Sequence, residues 1–502
     1  MEAVIMSSIL LFLLTFIVVH LLARSSLLTK SSKHKLPLPP APNAIPIFGN
    51  LLQLGNKPHQ TLAKLSKIHG PIMRLKLGHV TTVVMSSAET AKSALQIHDQ
   101  HLSNRKIPDA MKGAGHDAYS LPFMPVSPRW RDLRKICNNL LFSNKNLDAS
   151  QELRQRKIRE LLAHVKESSL KREVVDIGRL AFMTTINLLS NTFYSKDLIN
   201  SSDVAGEFKE LVTNVMKEVG RPNLADCFPV LKAVDPHGIR RRTGSYFGKV
   251  LGIFEGLVRE RLSVRSEGSY CPRNDILDLM LDNAPHDQHM YKDKIERLSL
   301  DLFLAGPDTI TSTVEWAMAE LLHNPNVMSK ARSELEETVG KGNLLLEESD
   351  IARVPYLQAI IKETFRMHPA VPLLLPRQAE IDIEIGGYTV PRGAQVLVNV
   401  WAIGRDPNLW DNPDVFSPER FLGSEIDFRG RNFELTPFGA GRRICPGLPL
   451  AIRMLFLMLV LFINCFDWKL EDRIQPQDMD MDEKFGLTLE KAQPVRVLPI
   501  IR

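Results

Sequence analysis

One cysteine, Cys445, lies in a glycine-rich loop that directly precedes a long apolar stretch. Residues 438–447 read FGAGRRICPG, and residues 448–466 are rich in leucine. Glycines at 439, 441 and 447 permit backbone angles that are closed to other residues, so several amides can turn toward one sulfur. A buried helix that begins at the cysteine would also favour an anionic sulfur. The loop therefore predicts a metal-binding thiolate, although a lone cysteine in a Gly-Pro loop is more often an inert buried thiol.

Length and composition predict one large globular domain. The chain has 502 residues, of which 44% are hydrophobic and 24% charged. No change in composition divides residues 46–502, so we expect a single domain there. The five cysteines form no CxxC pair, which argues against a zinc site and a disulfide framework. The 63 basic and 57 acidic residues nearly balance, which does not favour nucleic-acid binding.

The first 24 residues predict a membrane anchor. Residues 3–23 are 21 consecutive positions without Asp, Glu, Lys or Arg, close to the roughly 20 residues that cross a bilayer as a helix. Basic residues follow this segment, so the positive-inside rule places the rest of the chain in the cytosol. A cleaved signal peptide is the alternative, but its basic residues would precede a shorter apolar region. Residues 25–45 are basic and then proline-rich, which predicts a stiff linker.

Downstream of the linker, the sequence predicts a mainly α-helical fold with small β-sheets. Amphipathic stretches predict long helices over residues 203–219, 244–264 and 328–339. Alternating residues predict one β-hairpin over residues 72–85. They predict a second hairpin in which residues 383–390 pair with residues 395–399.

A helix predicted over residues 298–322 contains the run AGPDT at 305–309. Because proline removes an N–H and displaces the carbonyl four residues back, we expect this helix to be broken and kinked there. Ala305 and Gly306 leave space beside the helix axis, and Asp308 and Thr309 place an acid and an alcohol in the same turn. The alternative is an ordinary helix end, with Asp308 and Thr309 capping the next helix.

Other motifs pair basic residues with aromatic or acidic ones. Trp130 and Arg134 are four residues apart and so share one helical face. Glu363 and Arg366 form an i,i+3 pair in a helix predicted over 356–368, an arrangement worth under about 1 kcal/mol on a surface. Two further runs with an arginine lie later in the chain, PR at 376–377 and PERF at 418–421.

Together these motifs resemble those of the cytochrome P-450 monooxygenases over nearly the whole chain. The resemblance implies the cytochrome P-450 fold and a haem b whose iron is bound by the Cys445 thiolate, with Phe438 beside the ring. It implies contacts from four residues to the haem propionates, namely Trp130, Arg134, Arg377 and Arg443. It also implies a structural network behind the haem, formed by Glu363, Arg366 and Arg420.

The resemblance implies a reaction as well. Thr309 would hold the distal end of dioxygen and Asp308 would relay protons, so that one oxygen atom enters a C–H bond of a small molecule. The commonest plant version of this run is AGTDTT, from which the chain departs at Pro307 and Ile310 while keeping the acid–alcohol pair.

Electrons would come from NADPH through a separate reductase, because no dinucleotide-binding glycine fingerprint follows a strand. Four basic residues form a predicted docking face for an acidic reductase, namely Arg131, Lys135, Arg442 and Arg453.

The resemblance narrows to plant endoplasmic-reticulum enzymes that include geraniol hydroxylases and diterpene oxidases, which implies a single-pass protein with a cytosolic catalytic domain. The expected pocket residues are mostly apolar, namely Phe123, Met124, Ala305, Val371, Leu374 and Leu487. Such a pocket favours a terpenoid over a zwitterionic amino acid, which needs buried partners for both charges. Residues 104–125 are the first segment expected to line the pocket. This segment also contains charged or polar residues that weigh against a terpenoid, namely Asp109, Lys112, His116 and Asp117.

Two other functions remain as alternatives. One is hydroxylation of an aromatic substrate of the tyrosine or phenylpropanoid type. The other is a reductase-independent haem-thiolate isomerase or dehydratase, which typically lacks the acid–alcohol pair. A haem carrier or gas sensor would prefer His or Met as the iron ligand.

Overall fold

The computed structural model describes Thr15 and residues 36–199, 203–266, 270–273, 275–282, 288–341, 348–471 and 474–502. Apart from Thr15, the predicted membrane anchor lies outside the described residues. Among those residues, one helix is apolar and long enough to cross a bilayer, Leu448–Cys465, and most of it is buried inside the protein. We therefore assign this helix to the core.

The fold is mainly helical, as predicted. The α-helices are α1 (Pro58–His69), α2 (Ala88–Lys92), α3 (Asp99–Leu102), α4 (Pro128–Ile136), α5 (Asn144–Ala149), α6 (Gln151–Lys171), α7 (Ile177–Tyr194), α8 (Asp203–Gly220), α9 (Leu224–Cys227), α10 (Ile239–Ser266), α11 (Ile276–Asp282), α12 (Gln288–His323), α13 (Pro325–Val339), α14 (Pro355–Met367), α15 (Val400–Ile403) and α16 (Leu448–Cys465). Three of them, α8, α10 and α13, cover the amphipathic stretches predicted from the sequence. Helix α14 covers most of the helix predicted to carry Glu363 and Arg366.

The β-strands are short and form small sheets. They are β1 (Ile72–Leu77), β2 (Val80–Met85), β3 (Val175–Asp176), β4 (Arg377–Gln378), β5 (Ile383–Ile385), β6 (Tyr388–Val390), β7 (Gln395–Val398), β8 (Phe466–Leu470), β9 (Glu483–Lys484), β10 (Glu490–Lys491) and β11 (Arg496–Ile501). The largest sheet has the order β1-β2-β7-β4, and the others are β3-β11-β8, β9-β10 and β5-β6.

The first predicted hairpin is confirmed, and the second is wrong. Strands β1 and β2 pair antiparallel, with Ile72 opposite Met85. Residues 383–390 instead fold back on themselves as β5 and β6, because Gly386 and Gly387 adopt positive φ and turn the chain between them. Strand β7 consequently joins the first sheet, where it runs parallel to β2.

The core is built around α12 and α16. Helix α16 is almost entirely apolar, and 13 of its residues are buried. It contacts α12, α13, α6 and α14, and its side chains belong to one large apolar cluster. A helix that is apolar on all sides is stable in water only when other elements surround it. The loop that carries Cys445 is thus attached to a helix within the core.

Candidate active site

A cavity of about 320 Å³ lies between the Cys445 loop and the central helix α12. Cys445 from the loop and Ala305 and Thr309 from the helix all line it. Most of the other lining side chains are aliphatic or aromatic. The cavity thus brings the predicted thiolate and the predicted acid–alcohol turn to one place.

Backbone amides surround the Cys445 sulfur. The Cys445 N–H donates to the Phe438 carbonyl at 3.0 Å, which closes the loop. The N–H groups of Gly447 and Leu448, at the start of α16, hydrogen-bond to the sulfur. Burial raises the pKa of the Cys445 thiol, whereas these two amides and the charge of Arg134 lower it. The sulfur is therefore prepared to stabilise negative charge once a metal displaces its proton.

Two of the three loop glycines have the conformation predicted from the sequence. Gly439 and Gly441 both have φ of 68°, and a Cβ on Gly441 would lie 2.2 Å from the Leu95 carbonyl oxygen. The expectation for Gly447 is wrong, because its φ is −80° and any residue can adopt that angle. A Cβ there would touch the Cys445 sulfur at 3.9 Å, so Gly447 keeps the surroundings of the sulfur open.

Four arginines border the cavity: Arg105, Arg134, Arg377 and Arg443. Arg377 lies 3.5 Å from Asp99, and the other three have no carboxylate partner among the described residues. The pKa values of Arg377 and Arg443 are lowered to about 10, mainly by burial and, at Arg443, also by the charges of Arg377 and Arg134. Such a concentration of buried positive charge requires an anionic partner.

Arg105 is the member of this group that sequence reasoning missed. It donates to the carbonyls of Pro122 and Leu375 at 3.2 and 2.6 Å. It lies in an irregular segment after α3, where no periodicity or motif distinguishes it from a surface arginine.

Trp130 and Phe438 border the cavity as predicted from the motifs. The Trp130 indole N–H donates to the Leu121 carbonyl at 3.1 Å, and the Arg443 guanidinium lies 4.6 Å from the Trp130 ring centroid. The Phe438 ring contacts the Phe365 ring edge-on at 5.2 Å. These contacts fix the orientation of both aromatic side chains at the cavity wall.

The central helix is continuous, so the predicted break is wrong. Helix α12 runs from Gln288 to His323 with Pro307 inside it. Because Pro307 has no backbone N–H, the helix lacks one hydrogen bond there. The flanking turns are buried in the core, and this packing keeps the chain helical. Ala305 is exposed to the cavity, whereas a Cβ on Gly306 would come 3.1 Å from Leu189 of α7. The Ala-Gly pair therefore allows close packing on one side and leaves open space on the other.

Asp308 and Thr309 face different surroundings. The Thr309 hydroxyl borders the cavity and donates to the Ala305 carbonyl at 2.9 Å. Asp308 does not line the cavity. Burial and the nearby carboxylate of Glu490 raise the pKa of Asp308 to about 7. The pair thus links the cavity to a carboxylate that can change protonation near neutral pH.

A buried ion network joins α14 to residues 417–420. Arg366 donates to both oxygens of Glu363 at 2.7 and 2.8 Å, and both side chains are fully buried. Arg420 donates to Glu363 at 3.0 Å, and the Ser417 N–H donates to the same carboxylate at 2.8 Å. Two segments about fifty residues apart in the sequence are thereby held together by a single carboxylate.

Comparison with known proteins identifies the family. A family model described as Cytochrome P450 matches residues 39–495. The chain belongs to the cytochrome P450 family. It is 53% identical over 471 residues to a geraniol 8-hydroxylase of Catharanthus roseus, covering 93% of this chain and 95% of that protein. A geraniol 8-hydroxylase of Swertia mussotii is 52% identical, covering 93% and 94%, and a drimenol monooxygenase of Persicaria hydropiper is 50% identical, covering 94% of both chains.

Membership of the P450 family makes the chain a monooxygenase, and the family implies a haem and a reductase that supplies electrons from NADPH. The residues present fit a haem. A thiol with two amides directed at it faces the cavity, and the unpaired arginines can neutralise the two carboxylates of such a group.

The expected P450 pocket residues line the cavity with one exception. Phe123, Ala305, Val371, Leu374 and Leu487 are lining residues. Met124 is not, because its side chain is buried elsewhere and its carbonyl accepts from Arg443 at 2.6 Å.

Sequence reasoning missed the contribution of helices α7 and α8 to this wall. Those lining residues are Thr185, Leu188, Leu189, Val215, Met216 and Val219. They belong to ordinary amphipathic stretches, in which the face turned to a cavity cannot be distinguished from one turned to the core.

The predicted basic face of the P450 is only partly free. Arg131 and Lys135 are exposed. Arg442 pairs with Asp99 at 3.2 Å but is 52% exposed. Arg453 bridges Asp148 and Glu348 at 2.7 and 2.6 Å and is 15% exposed. Arg453 is therefore part of an internal network, and the prediction that it presents a free charge to a partner is wrong.

Proposed function

We propose that the protein hydroxylates a small terpenoid, with geraniol as the first candidate. The observation that carries this proposal is the chemistry of the cavity wall. Among the described residues that line it, the single carboxylate is Asp301. Both Asp301 oxygens already accept hydrogen bonds from His116, Ser120 and Leu121. No free carboxylate remains for the ammonium group of an amino acid, whereas a terpenoid needs none.

The charged residues that weighed against a terpenoid lie elsewhere. Asp109, Lys112, His116 and Asp117 are all described, and none of them lines the cavity. The names of the relatives also support the proposal, since two are geraniol hydroxylases and a third acts on drimenol. At position 310, where threonine is commonest in plant members, the chain places Ile310 in the cavity wall. This residue makes the wall near the reaction centre more apolar.

The residues around the cavity have separate roles in the proposed reaction. Haem b bound by the Cys445 thiolate supplies the activation of dioxygen, which the thiolate promotes by donating electron density to the iron. The four arginines and the Trp130 indole, which all border the cavity, would hold the carboxylates of the haem. The apolar wall binds the substrate and excludes water, and so determines which C–H bond reacts.

Asp308 and Thr309 move protons in the proposed mechanism. The Thr309 hydroxyl holds a proton at the cavity, where its oxygen keeps lone pairs free while it donates to Ala305 and Gly306. Asp308 brings protons from the side of Glu490. A carboxyl whose pKa is about 7 is an efficient proton donor near neutral pH.

Asp308→Asn should lower kcat by about 10²-fold, within the range for loss of a general acid. Because the pKa of Asp308 is raised to about 7, its carboxyl is protonated below that pH and ionised above it. Wild-type turnover should therefore fall as pH rises through about 7. The pH profile of the variant should lack this falling limb. Steady-state rates measured from pH 6 to 8.5 test this expectation.

Glu315→Gln is the matched control for the pH profile. Glu315 lies on the same helix, and burial raises its pKa to about 7 as well, but it does not line the cavity and accepts instead from the Val495 N–H at 2.9 Å. The control should keep the pH limb. Loss of the limb in Glu315→Gln, or its persistence in Asp308→Asn, would remove Asp308 from the proton path.

Microsomes that contain the full chain and a reductase test the substrate proposal. With NADPH, they should hydroxylate geraniol, and they should leave tyrosine unchanged because the cavity offers its ammonium group no partner. A phenylpropanoid and an abietane diene complete the panel. Products are identified by gas chromatography and mass spectrometry. Turnover of tyrosine alone would overturn the terpenoid proposal, and conversion without NADPH would favour an isomerase.

We also propose that residues 3–23 anchor the protein in the endoplasmic-reticulum membrane, with residues 25–45 as linker and residues 46–502 as a single cytosolic catalytic domain. The uncharged length of the segment and the basic residues after it support this arrangement. The chain should stay in the microsomal pellet after alkaline extraction, and its release would exclude a spanning helix. The reductase would dock on the exposed part of the basic face, at Arg131, Lys135 and Arg442.

A further inference from the structure

Residues 116–124 contribute to one wall of the cavity and form only isolated turns. Leu121, Pro122 and Phe123 line the cavity. The segment includes the end of a distorted 3-10 helix, Asp109–Ala118, in which Ala114 has φ of 51°. Its own backbone bonds are local, such as those from the Tyr119 and Ser120 N–H groups to the His116 carbonyl. A segment of this kind needs anchors from other elements to keep a fixed position relative to them.

One such anchor is Asp301, a buried carboxylate on α12. It accepts hydrogen bonds from the His116 ring at 2.9 Å, from the Ser120 hydroxyl at 3.0 Å and from the Leu121 N–H at 2.6 Å. The Asp301 and His116 side chains are 4% and 0% exposed. Asp301 lies one helical turn before Ala305, on the side of α12 that borders the cavity.

A second set of anchors holds the same segment from the opposite side. The Leu121 carbonyl accepts from Trp130 and from Arg443, each at 3.1 Å. The carbonyls of Pro122 and Met124 accept from Arg105 and Arg443. These donors are the groups that would also hold the haem carboxylates, so a bound haem competes with the segment for them. The bonds to Asp301 face no such competition.

We propose that Asp301 is a positioning residue that fixes the wall at residues 121–123 and thereby selects the carbon that is oxidised. Its two oxygens are fully used by the segment, so it acts on the substrate through Leu121, Pro122 and Phe123. Small changes in such a wall alter which atom is held close to the reaction centre. The effect on the oxidised carbon rests on the proposed function, which supplies the substrate. The anchoring of the wall by Asp301 does not depend on the proposed function.

The geometry distinguishes informative variants. Asp301→Asn replaces one oxygen with an NH2 group and removes the negative charge, so the charge-assisted bonds to the segment are lost or become neutral bonds of about half the strength. The Leu121 N–H belongs to the backbone and cannot turn to another partner. Ser120→Ala removes one donor and leaves the other two bonds. Glu296→Gln is the matched control, since Glu296 is a buried carboxylate on the same helix that does not line the cavity.

Hydrogen–deuterium exchange of the haem-loaded full chain, without substrate, tests the anchoring. In Asp301→Asn the amides of residues 116–124 should exchange at least about tenfold faster than in the wild type, because the local opening of hydrogen bonds controls exchange. Ser120→Ala should show a smaller increase, and Glu296→Gln none. Unchanged exchange in Asp301→Asn would overturn the anchoring.

Product analysis tests the positioning role, with geraniol as the probe. Asp301→Asn should keep the red-shifted band of the reduced carbon monoxide complex, while the ratio of oxidised positions changes by roughly threefold or more and less product forms per NADPH. A purely structural role predicts less haem protein with an unchanged product ratio, and that result would overturn the proposal. If Asp301→Asn yields no haem protein, the ratio of oxidised positions in the products of Ser120→Ala tests the proposal in its place. Failure of the wild type to oxidise geraniol would refute the substrate proposal and leave the exchange result standing.

Discussion

Cys445→Ala should lose all monooxygenation, down to the background of a reductase-only preparation. The same variant should lack the red-shifted band that a thiolate-bound haem gives after reduction and addition of carbon monoxide. Cys445 is the one cysteine that lines the cavity among the described residues, and the amides of Gly447 and Leu448 are directed at its sulfur. A thiolate is the ligand that favours cleavage of the oxygen–oxygen bond, so no neighbouring side chain can replace it.

Cys465→Ala is the control for this experiment. Cys465 is a buried thiol at the far end of α16 and does not line the cavity. Its replacement should leave the band and the turnover in place, at a cost in stability typical of a small buried side chain. A normal band in Cys445→Ala, or its loss in Cys465→Ala, would contradict the assignment of the ligand.

The Cys445 loop shows why part of the site is readable from the sequence. Its glycines and the apolar helix after it are neighbours of Cys445 in the chain, and the amides of Gly447 and Leu448 hydrogen-bond to the sulfur. Gly439 and Gly441 indeed adopt the positive φ expected of them. Features determined by local backbone conformation are the ones that sequence patterns record best.

Contacts between distant segments are the part that sequence patterns leave open. Strand β7 is correctly predicted as extended, but its partner is β2, more than three hundred residues earlier, because Gly386 and Gly387 close the β5-β6 hairpin without it. Phe123 and Met124 are adjacent and equally apolar, yet only Phe123 faces the cavity. Asp301 is likewise unremarkable until folding brings His116 to it.

Glu363→Gln should destabilise the haem-loaded protein by about 3–5 kcal/mol, the usual loss when one partner of a buried ion pair is removed. Arg366 is fully buried against both oxygens of Glu363, so the variant leaves a guanidinium in the core without its counter-charge. Arg420 and the Ser417 N–H lose the same acceptor. Thermal loss of the carbon monoxide band measures the destabilisation, and the yield of haem protein should fall with it.

Glu419→Gln is the control that distinguishes the loss of a buried ion pair from the loss of an exposed one. Glu419 stands next to Arg420, is 40% exposed and pairs with Lys330 at 2.6 Å. An exposed pair contributes about 0–1 kcal/mol, so this variant should unfold close to the wild type. Equal losses in the two variants would mean that the Glu363 network acts as an ordinary surface pair. A large loss confined to Glu363→Gln means that one buried carboxylate joins α14 to the 417–420 segment.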